Sequence, residues 1–452
     1  MKRLHAVVAT GAITALSAVG HAQSPLQDES LPPWVDAGDV PVPAWAKSVA
    51  PNKTDAAFYA EPGKLEARRG SAQLGAKLPL FGTKRASGCQ GRWLNVGPLA
   101  WICSDVADYS GDEPGAASLG TRPWSETVGN VDLVRPARPG ARPLPPLEPT
   151  SANDDGLPYR YYFAGADGAY GFSSLARALD DAPDQELEKG FAVAILEEKT
   201  AHGESWGRTK KGRWIAMREL VPARSFTFRG EILEGGKVDV GWVTVDRAAI
   251  YATEKGGAPS GSRVRFEKVK ILEEKGAAPN VMVRVDGGWM KARDLSRARE
   301  APPPSEAGPL ERWIDVDLAQ QTLVAYEGTK AVFATLVSTG KGPPKTEFAT
   351  NPGVHRVWVK IFTTKMDNLA KEDVEKHYAL EDVPWVQFFD KAIALHGVFW
   401  HRDLGHIHSH GCVNLAPLDA RWLFAFTGPH LPVGWTAVYP TKLEPGTVVR
   451  VR

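Results

Sequence analysis

The segment ALHGVFWHRDLGHIHSHGCVNLAPLDARW, residues 394–422, gathers five of the chain's eleven histidines around a single cysteine, Cys412. Three chemistries suit that composition: a metal centre, a thiol nucleophile with its base, or a merely polar loop. His406, His408 and His410 alternate, so on a strand they would share one face and could converge on zinc. Gly405 and Gly411 interrupt the run, however, and no carboxylate or cysteine lies at a recognised metal spacing. No metal is therefore expected, and the thiol is the better candidate.

A cysteine attacks as its thiolate, so a nucleophilic Cys412 calls for a lowered pKa. The stretch APLDARWLFAFTG has apolar residues at helical spacing, Pro417 and Asp419 near its start and Gly428 at its end. It predicts a helix just beyond Cys412, whose N-terminus would favour an anion. A second contribution would be an imidazole delivered from another strand. His396, on the predicted strand IALHG, lies sixteen residues upstream, far enough to return beside Cys412 after a loop. Gly411 lets the backbone turn tightly and present amide N–H groups to an oxyanion.

The chain's context agrees. Lys2 and Arg3 precede a short apolar run, Ala6 to Val19, and Gly20 and Ala22 suit a cleavage site, so residues 1–22 read as a secretory signal. The run is shorter than the ~20 residues a membrane anchor needs. Without the signal no integral membrane segment is expected. Export makes the three cysteines informative. Cys89 and Cys103 flank QGRWLNVGPLAWI, a predicted hairpin, and are expected to form a disulfide; Cys412 is then the odd thiol, exposed to oxidation unless it has a use. The 54 basic and 53 acidic residues balance, which gives no footing to a nucleic-acid partner.

The elements that must position this chemistry are mainly β. The 452 residues exceed what one core usually serves. Proline-rich stretches at 135–149 and 299–311 mark boundaries. Between residues 61 and 298 a weak repeat recurs: GPLAWICSDVA, GRWIAMRELV and GGWMKARDLS each set a tryptophan after a glycine turn. Short β-rich segments precede each copy, which suggests small β units with Trp101, Trp214 and Trp289 as core anchors. The pattern loosely resembles bacterial SH3-like modules. The expected organisation is a signal (1–22), a linker (23–60), an SH3-like module with the disulfide (61–110), a linker (111–156), two more such modules (157–230 and 231–298), a linker (299–310), a catalytic domain (311–441) and a tail (442–452). RWIDVDLAQQTLVAYEGTKAVFATLVSTGKG reads as a meander with turns at Ala319–Gln320 and Glu327–Gly328, and KEDVEKHYAL (371–380) as a short helix.

Residues 311–441 resemble the catalytic domain of the YkuD-type L,D-transpeptidases. The signature is a strand-borne His-Gly, a glycine-containing loop, then Ser/Thr-His-Gly-Cys, a hydrophobic residue, and Arg or Asn. The chain supplies His396–Gly397, Gly405 and Ser409–His410–Gly411–Cys412–Val413–Asn414; the family's Thr-Pro-x-Gly turn is shifted to TNPGVH, 350–355. The resemblance implies a β-sandwich with a short helix after the cysteine. It implies Cys412 as nucleophile, and His396 as base, oriented by a carbonyl near Gly397. His410 adjoins the nucleophile, but triad partners are generally brought together by the fold. The Gly411 and Cys412 amides, with His410, would hold the oxyanion. Ser409 and Asn414 would brace the loop or touch substrate, and Trp400, His401 and Asp403 would line the pocket. His406 and His408 are left as solvated loop residues.

The implied reaction is acyl transfer on peptidoglycan stem peptides. A Cys412 thioester forms with release of D-alanine, then passes to an amine, without metal or organic cofactor, in the periplasm or cell wall. Water as acceptor would give a carboxypeptidase or amidase instead. Loss of catalysis would leave a wall-binding scaffold.

Overall fold

The computed structural model describes residues 41–115, 143–151, 154–224, 228–369 and 378–452. The signal at 1–22, part of the proline-rich stretch at 135–149 and most of the helix expected at 371–380 lie outside the described residues.

The chain is mainly β. In the C-terminal part, Arg312–Asp317, Thr322–Glu327 and Lys330–Leu336 form the expected meander. Gly328 at its second turn has φ +59° and leaves no room for a side chain, because a Cβ there would meet the Pro309 carbonyl at 2.5 Å. The strand Val448–Val451 extends this sheet, parallel to Arg312–Asp317 and antiparallel to Gly353–Arg356. Residues 442–452 are therefore not a tail. Arg450 and Arg452 clasp the buried Asp315 at 2.6 and 2.8 Å, a long-range pairing with no local sequence signal.

The second sheet is built around Ala379–Asp390, with Val359–Asp367 on one side and Ile393–Gly397 on the other, both antiparallel. Val413–Leu415 then lies parallel to Ile393–Gly397. The helix Pro417–Phe426 follows, with proline in its first turn and nearly every residue buried. Its C-terminal carbonyls would be orphans in so dry a place. The fully buried Lys360 supplies the donor, bonding the carbonyls of Phe424 at 2.5 Å and Thr427 at 2.9 Å. One apolar cluster joins Ile314, Val316 and Leu323 of the first sheet to Leu395, Val413 and Leu415 of the second through Trp422 and Phe426 of the helix. This is the sandwich that carries the site.

Each copy of the tryptophan repeat folds alike. The strands Ala100–Cys103, Trp214–Ala216 and Gly288–Lys291 each run into a 3-10 turn and then into Ala107–Ser110, Leu220–Pro222 or Leu295–Arg297. Trp101, Trp214 and Trp289 are 6%, 7% and 7% exposed, which makes them core residues of their units. Residues 48–60, read as part of a linker, instead contain the strands Ser48–Pro51 and Ala57–Tyr59 of the first unit. The strands are too short to show alternation, and Ser48–Pro51 pairs with Ala107–Ser110 far along the chain.

All three units join the sandwich by backbone pairing: Arg68–Ala72 to Trp435–Val438, Ala192 to Leu380, and Glu231–Ile232 to Lys330–Leu336. The proline-rich connections are also fastened down. The Trp422 and Trp385 indoles donate to Pro145 and Gly156, both at 2.8 Å, and Arg421 pairs with Asp154 in a buried ion pair. Ala301 N–H donates to the Tyr326 hydroxyl at 3.0 Å.

Candidate active site

Strand register brings Cys412 to the face of the sheet that carries His396. Leu395, His396 and Gly397 stand opposite Val413, Asn414 and Leu415. Cys412, one residue earlier, therefore falls beside Ala394, which shares a face with His396. The Cys412 sulfur lies 3.9 Å from the Ala392 carbonyl and takes a hydrogen bond from Ala394.

The His396 ring is 2% exposed. Its Nδ1 is 3.1 Å from the Gly397 carbonyl, so Nδ1 carries the proton and Nε2 keeps the lone pair a base needs. Trp400 stacks on the ring at 5.7 Å. Burial lowers the His396 pKa to about 4, opposed by the Gly397 hydrogen bond, and the ring is neutral. Burial likewise pushes the Cys412 thiol up to about 11, against the Ala394 hydrogen bond.

This corrects the expectation of a lowered thiol pKa. The helix starts at Pro417, beyond the intervening strand Val413–Leu415, so Cys412 is outside its first turn. Half-buried within an apolar cluster with Phe399 and Trp400, the thiol is dominated by desolvation. The resting pair is a neutral thiol and a neutral imidazole, suited to proton transfer during attack rather than to a preformed ion pair.

The turn before Cys412 is tied internally. The Ser409 hydroxyl donates to the Cys412 carbonyl at 2.5 Å and accepts the Gly411 N–H at 3.1 Å. That amide, expected to hold an oxyanion, is thus directed to Ser409. Gly411 has φ +118°, a conformation open to glycine. Thr350, from the shifted TNPGVH turn, donates to the Gly411 carbonyl at 2.6 Å and accepts from Gly340 N–H at 2.8 Å. His410 packs between Phe348 at 4.8 Å and Tyr378 at 6.0 Å.

His401 and Asn414 contact one another, Nε2 to the side-chain amide at 2.8 Å. Gly397 packs tightly, since a Cβ there would stand 3.3 Å from Ala420 and Pro384. The loop between His396 and Cys412 is held from both sides by the appended units. Tyr161 stacks on Phe399 at 4.1 Å, and its hydroxyl donates to the Asp382 carbonyl at 2.6 Å. From the third unit, Arg265 donates to the Arg402 carbonyl at 3.0 Å, and the Thr244 carbonyl meets His406 Nε2 at 2.9 Å. His408 pairs with Asp403 at 3.2 Å. His406 and His408 are exposed residues of this loop, and each also makes one contact that ties it down. Tyr161, Thr244 and Arg265 act across more than 130 residues, and no local motif pointed to them.

Residues 311–451 match the family model of the YkuD L,D-transpeptidase catalytic domain. This segment is a YkuD domain. The match includes the Val448–Val451 strand and covers under a third of the chain. Among solved structures, an L,D-transpeptidase fragment from Xylanimonas cellulosilytica is 19% identical, covering 34% of this chain and 64% of its own, with a TM-score of 0.23. A cysteine-to-serine variant of an Enterococcus faecium L,D-transpeptidase is 22% identical, over 31% and 50%, with a TM-score of 0.24. An L,D-transpeptidase from Stackebrandtia nassauensis is 25% identical, over 32% and 58%, with a TM-score of 0.22. The chain thus spans between half and two thirds of these relatives' lengths. No curated protein matches it.

Proposed function

We propose that the protein is an exported cysteine acyltransferase that remodels peptidoglycan stem peptides, with Cys412 as nucleophile and His396 as general base. The observation that supports it most is the His396 Nδ1–Gly397 hydrogen bond within the YkuD domain, which leaves Nε2 as the basic nitrogen on the strand beside Cys412. The thiol proton passes to Nε2 as sulfur attacks the carbonyl of a tetrapeptide donor. The resulting His396 imidazolium protonates the departing D-alanine amine, and an acceptor amine then resolves the thioester. The Cys412 N–H is the backbone donor for the oxyanion, with Ser409 and Thr350 holding the turn and Trp400 holding the base. The tryptophan-repeat units are read as SH3-like modules, and the periplasm or cell wall as the site of action. Among the described residues, no helix is long and apolar enough to cross a membrane.

The test is incubation with disaccharide-tetrapeptides and mass analysis of products. Cross-linked dimers are expected. Tripeptides alone would make the protein a hydrolase, and activity surviving Cys412→Ala would refute the mechanism.

A further inference from the structure

The loop that joins base to nucleophile contains a cluster that the acyl-transfer mechanism does not use. His401, Asp403 and His408 each offer a ligand atom, and these atoms all lie within 4.8 Å of one another. His408 Nδ1 is 3.2 Å from Asp403 Oδ2, and the two imidazole rings are 4.4 Å apart. Ligand atoms around a tetrahedral ion with bonds of ~2.0–2.1 Å stand about 3.4 Å apart, a spacing the His408–Asp403 pair already has and to which His401 must close. These are not the three alternating histidines of the sequence: His406 turns to Thr244, and His410 to Phe348 and Tyr378.

A second observation concerns Asn414, which is 3% exposed. Its amide nitrogen faces His401 Nε2 while its Oδ1 is left buried without a partner. His401 Nδ1 accepts the Asp403 backbone N–H at 3.1 Å, so the neutral ring carries its proton on Nε2. Turning the Asn414 amide over lets Oδ1 accept that proton, which removes the donor–donor contact. His401 is then held in one tautomer, with its Nδ1 lone pair beside Asp403. Metal-binding imidazoles are oriented in the same way by a hydrogen bond at their distal nitrogen. Asp403 divides its oxygens, Oδ1 towards Arg265 at 3.8 Å and Oδ2 towards His408.

We propose that His401, Asp403 and His408 form a zinc(II) site, completed by water on the exposed side. Two imidazoles and one carboxylate suit zinc and are too nitrogen-rich for magnesium or calcium. The ion takes the Nδ1 lone pair that the Asp403 N–H now occupies and bridges the ends of the 401–408 segment. It thereby fastens the loop between His396 and Cys412 without touching either.

The full chain, stripped with chelator, is titrated with zinc against a chromophoric competitor, and with cobalt(II) followed by its visible absorption. One equivalent per chain is expected, with a zinc-dependent rise in melting temperature. His408→Ala and Asp403→Asn should each weaken binding at least ~10-fold, whereas His406→Ala and Cys412→Ser should bind as the parent does. His408 is exposed, and circular dichroism of its variant guards against misfolding. Absence of saturable binding, binding that survives both ligand substitutions, or binding lost in Cys412→Ser would each overturn the proposal. None of these readouts depends on acyl transfer.

Discussion

The pairing of a raised thiol pKa with a depressed imidazole pKa makes a quantitative prediction about Cys412. With its pKa near 11, roughly one thiol in 10,000 is ionised at pH 7, against roughly one in 100 at the ordinary value of 9. A more basic thiolate is intrinsically more nucleophilic, and a Brønsted slope of ~0.4–0.5 returns about tenfold of that deficit. Alkylation of Cys412 by iodoacetamide at pH 7 is therefore expected to run ~10-fold slower than that of an ordinary cysteine. Its rate should climb about tenfold per pH unit without levelling before pH 10. Because the buried His396 is neutral above pH ~4, His396→Gln should leave this alkylation curve in place while lowering turnover by ~10²–10⁴. The assay is a pH series of alkylation rates, read by intact-mass spectrometry on parent and variant. A plateau extending below pH 7, abolished by His396→Gln, would mean a preformed thiolate–imidazolium pair. Burial would then not control the thiol.

The depressed His396 pKa also links stability to pH. The unfolded ring, near 6.5, takes up its proton before the folded ring does, so stability falls as pH drops from 6.5 towards 4, by about 3 kcal/mol for this residue. His401, lowered to about 3 by burial, acts in the same direction. Asp419, raised to about 7 by burial, opposes both because its folded form takes up a proton first. Urea unfolding of parent and His396→Gln at pH 7 and pH 4 should show the variant losing about 3 kcal/mol less; parallel behaviour would refute a buried neutral ring. Tyr161→Ala removes the ring stacked on Phe399, whose neighbour Trp400 backs His396. We expect kcat to fall ~10-fold with KM nearly unchanged, and Tyr161→Phe, which keeps the ring, to restore most of it. A pure stability loss with normal kcat in the folded protein would disconnect the unit from the site.

Much of the site was legible because the signature is local. Ser409, His410, Gly411, Cys412 and Asn414 are contiguous or nearly so, and His396–Gly397 ends a strand whose apolar pattern is plain. The helix was legible from its spacing and from Pro417. The boundaries drawn by composition fared worse. Ser48–Pro51 and Val448–Val451 are short strands whose partners Ala107–Ser110 and Arg312–Asp317 lie far away, and β pairing leaves little trace in a four-residue run. The thiol's pKa was misjudged for a related reason: proximity to a helix start is visible in sequence, whereas desolvation by Phe399 and Trp400 exists only after folding.

What the sequence determined by itself is the chemistry's inventory. One thiol has no disulfide partner, one histidine sits on a strand within reach, and a glycine allows the turn between them. What only the tertiary structure decided is the state and setting of those groups. Register between parallel strands places Cys412 on the face of His396, burial sets both protonation states, and contacts from units more than a hundred residues away hold the loop. Covalent order specifies which groups can meet; desolvation and long-range packing specify how they meet, because both depend on surfaces that the chain buries only by folding.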